Sequence, residues 1–169
     1  RGLLEEVTTT WSLPTGIDRG SGRCSGSLAI IFPGQGSQKV DMLRTASCRF
    51  PQMVQVIDDA ECAFWNERGQ AGLSSRIWPT RNWQPDEVAQ NAALRTTDVA
   101  QPAIGAVSLG LYRVLGQFGI QGDLFAGHSF GELTALAASG RLSETDFHQL
   151  ANFRGRLMAQ AGGSDAGSM

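Results

Sequence analysis

A serine set between two glycines, Gly127-His128-Ser129-Phe130-Gly131, constrains this chain more than any other stretch. A short apolar run precedes it and a helix-forming run follows it. A serine on a tight turn from a strand into a helix is a nucleophile elbow, whose hydroxyl is pushed out toward the substrate. The glycines fit because such a crowded turn leaves little room for a Cβ on either side. We therefore expect a nucleophile at the start of a helix whose free N–H groups stabilise an oxyanion.

The segments around this elbow predict an α/β fold with a parallel sheet. Residues 28–32 are five apolar residues in a row, which predicts a strand buried on both faces. A later helix is expected to begin at Pro102 and to end at Gly119. Helices that alternate with short apolar strands favour a parallel sheet covered by helices. Residues 1–26 are rich in Thr, Ser and Gly in places, and we interpret them as a linker from an upstream domain.

Composition excludes several classes of protein. The chain has 169 residues, of which 41% are apolar, so it can bury a sizeable core. Its net charge of −2 gives no basic surface for nucleic acid, and no apolar run is long enough to span a membrane. The three cysteines, Cys24, Cys48 and Cys62, lack C-x-x-C spacing. We therefore expect reduced thiols, a cytoplasmic protein and no metal site.

An arginine near the end of the chain is the most informative position after the serine. Ser143 and Asp146 have the spacing of a capping box, which predicts a helix from there to about residue 161. Arg154 falls on the predicted apolar face of that helix, which consists of Phe147, Leu150, Ala151, Leu157 and Met158. An arginine on an apolar face needs an anion. Two interpretations stay open, a structural pair with a core carboxylate and a bidentate clamp for a substrate carboxylate.

The sequence offers no clear base for a serine nucleophile. We interpret His148 as a surface histidine, and His128 as a residue that shapes the elbow, because neighbouring side chains diverge on a sharp turn. A serine nucleophile needs a base, so we expect the base to lie outside this chain and the 169 residues alone to be inactive. For an oxyanion hole, we expect the N–H groups of Phe130 and of Gln35, in the glycine-rich turn at 33–38.

Four segments follow one another along the chain: Phe-Pro-Gly-Gln-Gly-Ser-Gln at 32–38, Gln-Pro-Ala-Ile at 101–104, Gly-His-Ser-Phe-Gly-Glu at 127–132, and Arg-Gly-Arg-Leu-Met at 154–158. Together they resemble the malonyl-CoA:acyl carrier protein transacylase family. That family includes the acyltransferase domains of type I polyketide and polyunsaturated fatty acid synthases. The resemblance implies an α/β-hydrolase-like large subdomain, with residues 27–169 as the N-terminal part of the domain and a ferredoxin-like small subdomain beyond it.

The same resemblance implies roles for individual residues. It makes Ser129 the acyl carrier and the backbone N–H groups of Gln35 and Phe130 the oxyanion hole. Arg154 would pair with the malonyl carboxylate, and Gln101 and His128 would line the substrate site. The family's catalytic histidine lies downstream of the residues present here.

The implied reaction is a transfer between two thiols. A malonyl group passes from malonyl-CoA to the serine and then to the phosphopantetheine thiol of an acyl carrier protein, with no bound cofactor or metal. The partners would be malonyl-CoA, the carrier protein and neighbouring domains of a larger synthase in polyketide or fatty acid biosynthesis. A thioesterase-like serine hydrolase shares the elbow and is one alternative. An inactive fragment or scaffold without the catalytic histidine is the other.

Overall fold

The computed structural model describes two short strands at 11–13 and 17–19, and then residues 26–69, 72–80, 83 and 86–161. Strand β1 (Trp11–Leu13) pairs antiparallel with β2 (Ile17–Arg19). Both strands lie within the segment that the sequence predicts to be a linker, so that segment contains regular structure which its composition did not reveal. Its assignment as a linker from another domain stays a prediction.

A parallel strand pair forms the second sheet. Strand β3 (Ala29–Phe32) lies beside β4 (Leu124–Gly127), with Ala29 opposite Leu124 and Phe32 opposite Gly127. In its described residues, the connection between them contains five helices: α1 (Arg44–Ser47), α2 (Pro51–Arg68), α3 (Leu73–Ile77), α4 (Glu87–Arg95) and α5 (Thr97–Gln117). After β4 come α6 (Phe130–Ala138) and α7 (Glu144–Ala161). Parallel strands joined by helices confirm the predicted α/β class.

The expectation that β3 is buried on both faces is wrong for the described part of the chain. Phe32 is buried and its ring lies edge-on to Tyr112 of α5, with 6.2 Å between the ring centroids. Ile31 points to the other face and is 74% exposed. Successive side chains of a strand point to opposite faces, so helices that cover one face leave every second residue open.

Helix α5 is the central element, because it packs against α2, α6 and α7. Its start differs from the prediction, since the helix begins at Thr97 and Pro102 lies inside it. The N–H groups of Val99 and Ala100 both donate to the carbonyl oxygen of Thr96, which fixes the first turn five residues earlier than proline chemistry suggests. Burial on several sides outweighs the hydrogen bond that Pro102 removes. The predicted end is confirmed, because Gly119 follows the helix with φ of 73°.

Two close approaches fix the directions of α6 and α7. Phe130 opens α6 and is fully buried, with its ring centroid 6.3 Å from that of Phe147 on α7. A Cβ on Gly105 of α5 would lie 2.8 Å from the Phe147 ring and 3.0 Å from the Phe130 ring, so glycine is what lets both rings reach α5. Further along α7, a Cβ on Gly155 would lie 3.0 Å from the carbonyl oxygen of Thr97. The start of α5 therefore touches the middle of α7.

Candidate active site

The predicted nucleophile elbow is present. Ser129 stands between β4 and α6 with φ of 53° and ψ of −111°, a backbone conformation that costs a non-glycine residue about 1–3 kcal/mol. Local hydrogen bonds hold it there. The N–H of His128 donates to the carbonyl oxygen of Phe32 over 3.1 Å, and the N–H of Gly131 donates to the carbonyl oxygen of His128 over 2.9 Å. The strain is thus maintained by the strand before the serine and by the helix after it.

Both elbow glycines have the steric role that the sequence predicts. A Cβ on Gly127 would lie 2.0 Å from the carbonyl carbon of Gly131. A Cβ on Gly131 would lie 2.2 Å from the carbonyl oxygen of Phe32 on the neighbouring strand. Non-bonded atoms in a folded protein do not approach this closely, so any side chain at either position would force the turn apart.

The glycine-rich turn at 33–38 lies against the elbow, where it was expected to be. A Cβ on Gly34 would lie 2.6 Å from the carbonyl oxygen of His128 and 3.4 Å from the Cβ of Ser129. The next residue in this turn is Gln35. On the other side of the serine, Phe130 heads α6, where an α-helix has no intrahelical acceptor for its first N–H groups. The residue before Gln35 therefore packs against the elbow, and Phe130 follows Ser129 directly at the start of α6.

The guanidinium group of Arg154 reaches the Ser129 hydroxyl. Its Nη2 atom lies 3.5 Å from the Oγ atom of Ser129 and can donate a weak hydrogen bond to it. Its Cζ atom lies 5.9 Å from the centroid of the Phe130 ring. Its Nη1 atom is buried and has no hydrogen-bond partner among the described residues. A partly buried cation with unused donor capacity beside Ser129 can bind an anion.

The helical face used to predict this arginine was partly wrong. Leu150 and Leu157, assigned to the apolar face of α7, are 41% and 45% exposed. The face that is buried consists of Phe147, His148, Ala151, Asn152 and Gly155. Because α7 packs against both α2 and α5, its buried face is rotated relative to the one that hydrophobicity alone indicates.

His148 is a second correction, because it is buried and not a surface histidine. Its side chain is 3% exposed, and its Nε2 atom has no hydrogen-bond partner among the described residues. Burial lowers the pKa of His148 to about 4, and the nearby charge of Asp59 on α2 opposes that shift only partly. The imidazole is therefore neutral at pH 7. In the part of the chain that the structure describes, neither His148 nor His128 is hydrogen-bonded to the Ser129 hydroxyl.

Replacing His148 with leucine is expected to reduce the loss of stability in mild acid. The unfolded histidine takes up its proton near pH 6.5 and the folded one only near pH 4. The parent protein therefore loses stability as the pH falls between these values, by about 2 kcal/mol from pH 7 to pH 5. Urea unfolding at both pH values measures this difference. Gln149→Leu, at the exposed neighbouring position, is the control. Identical pH dependence in the parent and in His148→Leu would contradict the assignment.

Gln101 lies between the glycine-rich turn and α7. It is fully buried, and its Nε2 atom lies 3.3 Å from the Sδ atom of Met158 and 3.5 Å from the Oε1 atom of Gln35. The Nε2 atom of Gln35 in turn donates to the Oγ1 atom of Thr97 over 3.1 Å. Sequence reasoning missed Thr97 as a site residue. One signal was available, since Thr97 precedes Gln101 by four residues and so shares its helix face.

The described residues contain neither a cluster of metal ligands nor a helix suited to span a membrane. No group of three or more His, Cys, Asp or Glu side chains in this part of the chain is arranged to hold a metal ion. None of the helices in the same residues is both long and apolar enough to cross a bilayer. Cys48 and Cys62 are exposed free thiols, and Cys24 lies outside the described residues.

Residues 29–169 match the profile of the acyl transferase domain family. The chain belongs to this family. The match covers every segment on which the resemblance was based, so the expected family is confirmed. It also covers the elbow, the glycine-rich turn and the α7 arginine that the structure brings together.

Individual relatives agree with the family assignment. The chain is 34% identical over 143 residues to a phenolphthiocerol synthesis polyketide synthase from Mycobacterium marinum, covering 85% of this chain and 6% of the synthase. It is 33% identical over 142 residues to a malonyl CoA-acyl carrier protein transacylase from Escherichia coli O157:H7, covering 83% of this chain and 41% of that protein.

A solved structure is similar in the same region. It is a type II polyketide synthase acyl carrier protein in complex with its malonyl-transacylase. The TM-score is 0.67 at 31% identity, and the match covers 80% of this chain and 40% of that one. The acyltransferase chain therefore spans about two fifths of these transacylases and a small part of the synthase.

Proposed function

We propose that this acyltransferase chain carries a malonyl group on Ser129, taken from malonyl-CoA and passed to the phosphopantetheine thiol of an acyl carrier protein. One observation carries the proposal, namely the position of Arg154. Its guanidinium reaches to within 3.5 Å of the Ser129 hydroxyl and keeps one buried nitrogen unpartnered in the described structure. An acyl group with its own carboxylate supplies the missing acceptor, and a guanidinium fork matches a carboxylate.

The first half-reaction makes an ester. The Oγ atom of Ser129 attacks the thioester carbonyl, a C–O bond forms, the C–S bond breaks and CoA leaves as its thiol. The carbonyl oxygen becomes negative on the way, and we assign its stabilisation to the N–H groups of Gln35 and Phe130. The serine proton needs an acceptor. We assign that role to a histidine in the part of the domain that the family has downstream of these residues.

The second half-reaction reverses the first with a different thiol. While Arg154 holds the malonyl carboxylate, the carrier protein's phosphopantetheine sulfur attacks the ester carbonyl. A C–S bond forms, the C–O bond breaks and the serine regains its proton, which completes a ping-pong cycle. A carrier protein as acceptor is supported by the solved relative that contains one. A cytoplasmic location and neighbouring synthase domains stay predictions.

Product analysis tests the proposal directly. The complete protein that contains this chain is incubated with radiolabelled malonyl-CoA and a carrier protein bearing phosphopantetheine. We expect the label on the carrier protein, with little free malonate. Release of free malonate and an unlabelled carrier would show a thioesterase-like hydrolase instead. Omission of the carrier is the control, because a transferase then retains about one label per Ser129.

A further inference from the structure

The side chain of Gln35 is tied to the start of α5 by a chain of hydrogen bonds. Its Nε2 atom donates to the Oγ1 atom of Thr97 over 3.1 Å, and its Oε1 atom lies 3.5 Å from the Nε2 atom of Gln101. An amide has one accepting and one donating end. These two neighbours therefore favour a single orientation of the Gln35 side chain, although Gln35 itself is largely exposed.

The backbone around Gln35 needs such an anchor. Gly34 has no room for a Cβ, and Gly36 adopts φ of 109°, a conformation that side chains rarely allow. Two glycines restrict the chain between them only weakly, because glycine has access to much more of φ/ψ space than other residues. An oxyanion donor works only if its N–H points at the developing charge. The hydrogen bond to Thr97 supplies a restraint that the local backbone lacks.

The anchor itself belongs to a rigid part of the molecule. Thr97 is the first residue of the central helix α5. A Cβ on Gly155 of α7 would lie only 3.0 Å from the carbonyl oxygen of Thr97, so the two helices are in close contact there. Arg154, the residue before Gly155, contacts the nucleophile. The turn and the arginine are therefore set by the same helix crossing, and sites built on helices are held more precisely than sites on loops.

We propose that Thr97 is a positioning residue for the oxyanion hole. Its hydroxyl holds the Gln35 side chain and thereby aims the Gln35 N–H at the carbonyl oxygen of the acyl group on Ser129. This role deepens the proposed function and rests on it. Thr97 acts through the Gln35 side chain, so we expect its loss to affect the rate of ester formation more than the binding of malonyl-CoA.

Replacing Thr97 with valine in the complete protein tests this role, because valine keeps the shape and removes the hydroxyl. We expect the single-turnover rate of Ser129 acylation to fall about 10- to 30-fold, less than for complete loss of an oxyanion donor. The KM for malonyl-CoA should stay within about twofold, since only the transition state uses the donor. Thr97→Ser restores the hydroxyl and should acylate within about threefold of the parent rate. Thr96→Val, the same change at the exposed neighbour, should leave the rate unchanged.

Two further measurements separate positioning from other effects. Amide hydrogen exchange across 34–38 should speed up in Thr97→Val and not in Thr96→Val, while both keep the parent melting temperature. Parent-like acylation by Thr97→Val, a slow Thr97→Ser, or a change in KM alone would overturn the proposal. If the parent forms no malonyl ester, the proposed function fails. The positioning role of Thr97 is then tested separately by the rate at which a fluorophosphonate labels Ser129. Slower labelling in Thr97→Val than in Thr96→Val supports the positioning role, and equal labelling overturns it.

Discussion

Replacing Ser129 with alanine is expected to abolish malonyl transfer, with a rate at least about 10³-fold below that of the parent. The reason is that alanine removes the hydroxyl oxygen that would carry the acyl group. In the parent, the elbow after β4 directs this hydroxyl toward Arg154. Alanine keeps the strained backbone position about as well as serine, so the fold should persist. Radiolabelled malonyl-CoA and mass analysis of the intact protein measure the ester.

A matched variant makes the serine experiment specific. Ser139 closes the other end of α6, is exposed, and donates to the carbonyl oxygen of Leu136. Ser139→Ala should therefore retain full labelling and transfer. A protein with Ser129→Ala that still acquires one malonyl group would place the acyl carrier elsewhere and remove the basis of the proposed mechanism.

Replacing Arg154 with alanine is expected to change selectivity as well as rate. Malonyl transfer should fall about 30-fold or more, corresponding to ~2 kcal/mol for a charge-assisted contact. Acetyl transfer should fall much less, because an acetyl group has no carboxylate for the guanidinium to bind. Arg154→Lys keeps the charge and loses the planar fork, so its rate of malonyl transfer should lie between those of the parent and of Arg154→Ala. The measurement is kcat/KM for malonyl-CoA and acetyl-CoA with the same carrier protein.

Arg156 provides the control for this change on the same helix. It pairs with Glu67 of α2 and its guanidinium lies 5.8 Å from the Phe153 ring, so it serves a contact on another face of α7. Arg156→Ala should leave the malonyl-to-acetyl ratio unaltered. Equal losses for both acyl groups in Arg154→Ala would favour the structural interpretation that the sequence left open.

Neither histidine of the described residues is hydrogen-bonded to the Ser129 hydroxyl. His148 is buried with a pKa of about 4, and the hydrogen bond to the Ser129 Oγ atom comes from Arg154. This agrees with the expectation from the sequence that the base lies elsewhere. That expectation, and the inactivity of these 169 residues alone, stay predictions.

The sequence by itself determined the elbow, the α/β class and the serine cap at the start of α7. Each depends on residues that are close along the chain. Gly127 and Gly131 are needed because their own turn is crowded, and Ser143 accepts the N–H of Asp146 three residues later. Local sterics and local hydrogen bonds follow from neighbouring residue types, so a pattern read along the chain is sufficient to predict them.

Only the tertiary structure decided which side of each helix is buried and what each site residue contacts. His148 is covered because α2 packs on α7, and Leu150 is exposed for the same reason. The Gln35–Thr97 hydrogen bond joins residues 62 positions apart, and no pattern along the chain records such a contact. The elbow around Ser129 is thus a local feature. The positions of Arg154 and the glycine-rich turn beside it depend on how α5 and α7 pack together.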